Sequence, residues 1–258
     1  MQFSVAEIMG WLGLFVWPWI RVGGMMLTAP LFTQNAIPVR VRVLLGLALT
    51  VVLMPAVASV PQVDPLSMEA LMIAVQQALI GIALGFLISL PLQAATIGGE
   101  AVAMSMGLGF ATMADPQGGM SVPVVSQFML ILVTLLFLAV GGHLMFIELM
   151  AESFQLLPIS AVGFARDDFF TLVSWGSVMF TGAVLIALPA LVLLLLVNLA
   201  MGVMTRAAPQ MNIFSVGFPL TLMLGFLSLL YLVLPSLPGR MYALWRSAFD
   251  AARQMLGA

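Results

Sequence analysis

There is no cysteine anywhere in the 258 residues. That removes disulfides, thiolate metal sites and cysteine nucleophiles. Lysine is absent too, all eight basic residues being arginine, so neither a Walker A loop nor a Schiff base can be built. The single histidine, His143, excludes an HExxH helix and any multi-histidine metal site. No metal and no cofactor is expected. Charged residues make up only 7% of the chain, against about 25% in a soluble domain. Eight basic and ten acidic side chains cannot solvate the surface of a 27.5 kDa globule, which excludes a cytosolic protein. A hydrophobic content of 63% excludes a disordered chain. The net charge of −2 offers no basic field for nucleic acid.

What is present is apolar sequence, with a mean hydropathy of +1.19. The chain reads as an all-α membrane protein. Arg21 is the first basic residue, so no charged region precedes the first apolar run. That run is expected to be a membrane segment, not a secretory signal. Because intramembrane charge is costly, charge-free stretches mark the layout. Apolar runs cover roughly 8–33, 43–60, 68–110, 124–151, 169–204 and 213–234, and an Arg-bearing segment, 239–256, follows. About 20 helical residues cross a bilayer. Runs 68–110 and 169–204 would be roughly 65 and 54 Å long as continuous helices. Each holds a proline, Pro91 or Pro189. Broken helices or hairpins, partly buried in protein, are expected there. The arginines do not orient the chain: Arg40, Arg42 and Arg206 fall on one side of a six-span layout, and Arg166, Arg240, Arg246 and Arg253 on the other.

Small residues recur at every fourth position in Ala95, Gly99, Ala103, Gly107 and Ala111, with Gly81 and Gly85 upstream. Such a ridge lets helices approach closely. It serves either packing within the chain or packing against other chains. The ridge runs into a Gly- and Pro-rich stretch that includes Phe110, Met113, Asp115, Pro116, Gly118, Gly119 and Met120. This stretch cannot stay helical or face lipid with its backbone unsatisfied. A surface loop would usually be more polar, and bulky apolar tips on a flexible loop suit a yielding stopper. Methionine, 21 of 258 residues, clusters here as Met104, Met106, Met113 and Met120, and its adaptable side chain could seal around variable cargo or merely fill space.

Among the polar residues, Glu148 and Glu152 lie four apart near His143 and the pair Gly141-Gly142. They read either as a helix end near water or as a proton relay. Glu100 is expected to pair with an arginine such as Arg21, and Asn198 to hydrogen-bond a neighbouring helix. No nucleophile, base and oxyanion donor come together, so catalysis is not expected. In the C-terminal segment, Met241, Leu244, Trp245, Ala248 and Phe249 share one helical face. It reads as an amphipathic helix, either lying at the interface or docking a partner subunit. The whole of 1–258 reads as one membrane domain.

The stretch from Arg206 through Pro209, Gln210, Asn212, Phe214 and Gly217 to Pro219 resembles the signature of the FliR family of flagellar export-gate subunits. Ala114-Asp115-Pro116-Gln117-Gly118-Gly119 also matches, as do Gly141-Gly142-His143-Leu144 with Ser153-Phe154, and Arg21-Val22-Gly23-Gly24 with Pro30-Leu31-Phe32. Injectisome counterparts are related but match the Ala-Pro-Gln-x-Asn block less fully. The resemblance implies a multi-pass protein of the bacterial inner membrane, part of the flagellar basal body. It implies a place beside FliP and FliQ, with FlhB attached and FlhA nearby, in the gate of the flagellar type III secretion system. The helices would form tilted hairpins in a hetero-oligomeric helical assembly that passes unfolded flagellar proteins. The loop after the third apolar region, Phe110 to Met120, would plug the closed pore. A self-contained small-molecule transporter using Glu100, His143, Glu148 and Glu152 is the competing reading.

Overall fold

The computed structural model describes residues 5–29, 37–64, 67–109, 124–210 and 213–257. Among these, every regular element is helical. In chain order they are α1 (Val5–Thr28), α2 (Val39–Leu53, extended by a 3-10 turn, Met54–Ala56), α3 (Met68–Ser105) and α4 (Val124–Ala139). Then come α5 (Gly142–Leu156), α6 (Arg166–Ala207), α7 (Ile213–Ser228), a π turn (Leu229–Val233) and α8 (Leu234–Met255). Among the described residues, four stretches are long and apolar enough to cross a membrane: Val39–Ala56, Met68–Ser105, Arg166–Ala207 and Ser215–Met255. The pair α4 and α5 makes a fifth if counted as one broken span.

Proline does not break the long runs. Pro91 lies inside the 38-residue α3 and Pro189 inside the 42-residue α6, correcting the expected breaks. A proline removes one backbone hydrogen bond and crowds the turn before it. In an apolar setting, leaving the helix would strand many more backbone groups, so the helix persists around the defect. The C-terminal run is corrected in the same direction. The expected gap between 213–234 and 239–256 is spanned by helix, and Leu234 N–H bonds the carbonyl of Leu229 five residues back. This wider π turn sits directly before Pro235, where a proline ring needs room.

The break that does occur falls within the run read as 124–151. α4 stops at Ala139, and Gly141, at φ 76°, starts α5. That left-handed conformation is cheap only without a side chain. Gly142 follows because a Cβ there would strike the ring of Phe137.

By packing, the chain divides into two compact units, residues 1–90, 137–176 and 246–258 in the first and 91–136 and 177–245 in the second. The first is built around Trp17, Met25, Ile80, Leu84, Phe154 and Phe249, with Arg21 fully enclosed among them. The second is built around Leu92, Val102, Met106, Ile186, Leu194 and Met241. The amphipathic face of α8 is turned inward: Met241, Trp245, Ala248, Phe249, Ala252 and Met255 are buried, while Tyr242, Arg246 and Asp250 are exposed.

Candidate functional site

In the first unit one face of α3 is laid against α1. Gln77, Gly81 and Gly85 stand at successive helical turns. A Cβ on Gly81 would collide with the Arg21 carbonyl, and one on Gly85 with Met25 and Thr28. From the other side, a Cβ on Gly24 would meet the Ala78 carbonyl at 2.9 Å. Backbone therefore meets backbone, as small residues four apart permit. The Thr28 hydroxyl closes the crossing by donating to the Ile82 carbonyl at 3.0 Å.

One turn before Gly81, the close approach delivers Arg21 to Gln77. Arg21 Nε donates to Gln77 Oε1 at 2.8 Å. Its Nη1 donates to the Ser153 carbonyl at 2.6 Å, with the Ser153 hydroxyl at 3.4 Å. The guanidinium also lies 4.6 Å from the centre of the Phe154 ring, a cation–π geometry. So α1, α3 and α5 meet on one enclosed cation. Among the described residues no carboxylate takes part, which corrects the expected Arg21–Glu100 pair: Glu100 is exposed. Neutral acceptors and an aromatic face surround the guanidinium, which spreads its charge over a plane and is weakly hydrated, while Arg21 Nη2 has no hydrogen-bond partner among the described residues. Gln77, a lone amide pair with Gln76 inside an apolar run, was the legible signal. The Ser153 carbonyl was not, because every residue has one.

The first unit also holds the acidic pair on α5. Glu152 receives Arg253 Nε at 2.8 Å and Nη2 at 3.1 Å, tying α5 to the end of α8. Glu148 is exposed and His143 half-buried in the first turn of α5. A relay through Glu152 would have to break this two-point pair first.

In the second unit, Ala95 and Ala103 are fully buried. Gly99 faces the chain's own α4, where a Cβ would lie 3.0 Å from Ser126 Cα and 3.1 Å from Met129. Gly98 faces α6 at the Ala183 carbonyl. The ridge is thus occupied from within at Gly99. Gly107 stands beyond the helix, not on its face: α3 ends at Ser105 and Gly107 takes φ 84°. Leu108 N–H bonds the Ala103 carbonyl at 3.1 Å and Gly107 N–H that of Met104 at 3.0 Å, the Schellman pattern of a helix stop. Just before it, Met106 is buried against Gly225 of α7.

Phe110, Met113, Asp115, Pro116, Gly118, Gly119 and Met120 lie outside the described residues, as does Asn212. Pro209 and Gln210 sit exposed in the turn between α6 and α7. Phe214 is in the first turn of α7, Gly217 is buried and Pro219 is exposed within the helix. Asn198 is exposed on α6 and makes no bond to another helix among the described residues.

The family model described as bacterial export proteins, family 1, matches residues 12–248. The chain belongs to the FliR family of bacterial export proteins. It is 38% identical over 257 residues to a flagellar biosynthetic protein FliR of Pectobacterium carotovorum, covering 99% of this chain and 97% of the relative. It is 39% identical over 235 residues to FliR of Escherichia coli K12, covering 91% and 89%. FliR of Bacillus subtilis is 28% identical over 220 residues, with 84% of each chain covered. Arg21, Gln77 and Ser153 all fall inside the stretch that matches the model of bacterial export proteins, family 1.

Proposed function

We propose that this FliR-family chain is a core subunit of the flagellar type III export gate in the bacterial inner membrane. It packs with FliP and FliQ, lies next to FlhB and FlhA, and passes unfolded flagellar proteins without catalysing a reaction. The observation that carries this reading is the match to relatives named flagellar biosynthetic protein FliR over nearly the whole chain. The helices suit it. α3, α6 and Ser215–Met255 run 38, 42 and 41 residues, roughly twice what one bilayer needs. Their exposed apolar residues include Phe86, Met104, Phe180, Leu195, Phe226 and Tyr231, which neighbouring subunits would cover.

The segment 110–120 is the plug of the closed pore in this reading. α3 stops at Gly107, three residues before it. The test is deletion of 110–120 within the assembled gate. Ion leak across the inner membrane should rise while the gate still assembles. Unchanged leak in an assembled gate removes the plug role.

The transporter reading has less support, because Glu152 is already held at two points by Arg253.

A further inference from the structure

α1, α2 and α3 enclose a cleft of about 360 Å³ in the first unit, within the roughly 300–1,000 Å³ typical of ligand sites. Its walls include Trp19, Gly23 and Leu27 of α1, Val43 and Gly46 of α2, and Ile82 of α3. All are apolar, and among the described residues the cleft's one charged wall is Arg42. The space exists because side chains are missing, since a Cβ on Gly23 would meet nothing within 4 Å. From Trp19 to Leu27 the α1 wall is roughly 12 Å long, an elongated slot suited to a hydrocarbon tail.

Arg42 makes one wall of the cleft positive. Arg42 Nε is buried and has no hydrogen-bond partner among the described residues. Arg40 shares the first turn of α2 and is exposed. That turn contains no acidic residue, and no side chain caps it. The positive end of the helix dipole therefore adds to the same sign of charge. An apolar cleft with one arginine in its wall and a second on the same helical turn suits an apolar tail joined to an anionic phosphate. An apolar helix from a neighbouring protein would fill the slot but leave the Arg42 donor unsatisfied, at a cost.

We infer that this cleft binds one anionic phospholipid, its acyl chain lying between α1, α2 and α3 and its phosphate held by Arg42, with Arg40 adding charge. This requires only that the chain resides in a membrane, so it stands or falls separately from the export reading.

The test uses the full-length chain in detergent, stripped of lipid and titrated with phosphatidylglycerol or phosphatidylcholine under native mass spectrometry. One phosphatidylglycerol per chain should be retained, with phosphatidylcholine held several-fold more weakly. Arg42→Gln should weaken phosphatidylglycerol about fivefold, as expected for one interfacial charge, and the double variant with Arg40→Gln further. Gly23→Leu should fill the slot and abolish retention while thermal melting stays unchanged. Should Gly23→Leu disturb the fold, the Arg42→Gln series decides alone. Equal retention of the two lipids, or phosphatidylglycerol binding indifferent to Arg42→Gln, overturns the assignment. So does a chain that retains no phospholipid, which is the outcome for a slot meant for a partner helix.

Discussion

Arg21 Nε donates to Gln77 Oε1 at 2.8 Å, one helical turn from the point where Gly81 lets the Arg21 backbone come to rest on α3. The hydrogen bond and the close crossing are therefore one feature. The tight crossing sets an arginine of α1 beside an amide of α3, and the arginine then spans to Ser153 on α5.

Gln77→Leu keeps the volume but removes the acceptor for a buried cationic donor. It should destabilise the chain by about 2–3 kcal/mol. Arg21→Lys should not rescue function or stability, because one ammonium cannot serve Gln77 and Ser153 while stacking on Phe154. Thermal melting of the full chain in detergent, read by circular dichroism, checks both.

Gly81→Ala should cost about 1–3 kcal/mol, since the added methyl meets fixed backbone and one helix must shift. Gly176→Ala is the contrast. It lies inside α6 with nothing within 4 Å of the new Cβ. There the change should be neutral or stabilising, by up to about 1 kcal/mol. Equal effects at the two positions in the same melting assay would contradict the crossing.

The Glu152–Arg253 pair is about a third exposed on both sides, at 30% and 35%. Its coupling should therefore be at most about 1 kcal/mol, despite two-point geometry. A double-mutant cycle with Glu152→Gln and Arg253→Gln should show that coupling at low salt and its loss toward 1 M, as screening sets in.

Gly107→Val forces a branched side chain into the left-handed region. It should cost roughly 1–2 kcal/mol and loosen the end of α3. Hydrogen exchange should rise at Leu108 and Gly107, the two amides of the helix stop, and remain low at Ala95 and neighbouring turns.

Helical class and the shared apolar face of the last helix were legible because both follow from periodicity and charge, but that this face packs on the chain's own core, instead of a membrane interface or a partner, was not. Met241, Trp245, Ala248 and Phe249 stand at helical spacing in any environment, and they are buried. The small residues were legible as contacts but not their partners. Gly81 meets Arg21, while Gly99 meets Ser126 and Met129, and nothing in the spacing separates these. Pro91 and Pro189 misled because a local helix breaker competes with the cost of exposing backbone in an apolar setting, which depends on surroundings. Arg21 misled differently. Charge logic points to a carboxylate such as Glu100, whereas a main-chain carbonyl and a glutamine supply the acceptors.

Expression of this chain together with FliP and FliQ, followed by purification on a tag carried by this chain alone, tests the central claim most directly. A discrete hetero-oligomer containing all three proteins, with this chain prone to aggregation when expressed by itself, is the expected result. A monodisperse monomer that leaves FliP and FliQ behind and binds a small solute would contradict it.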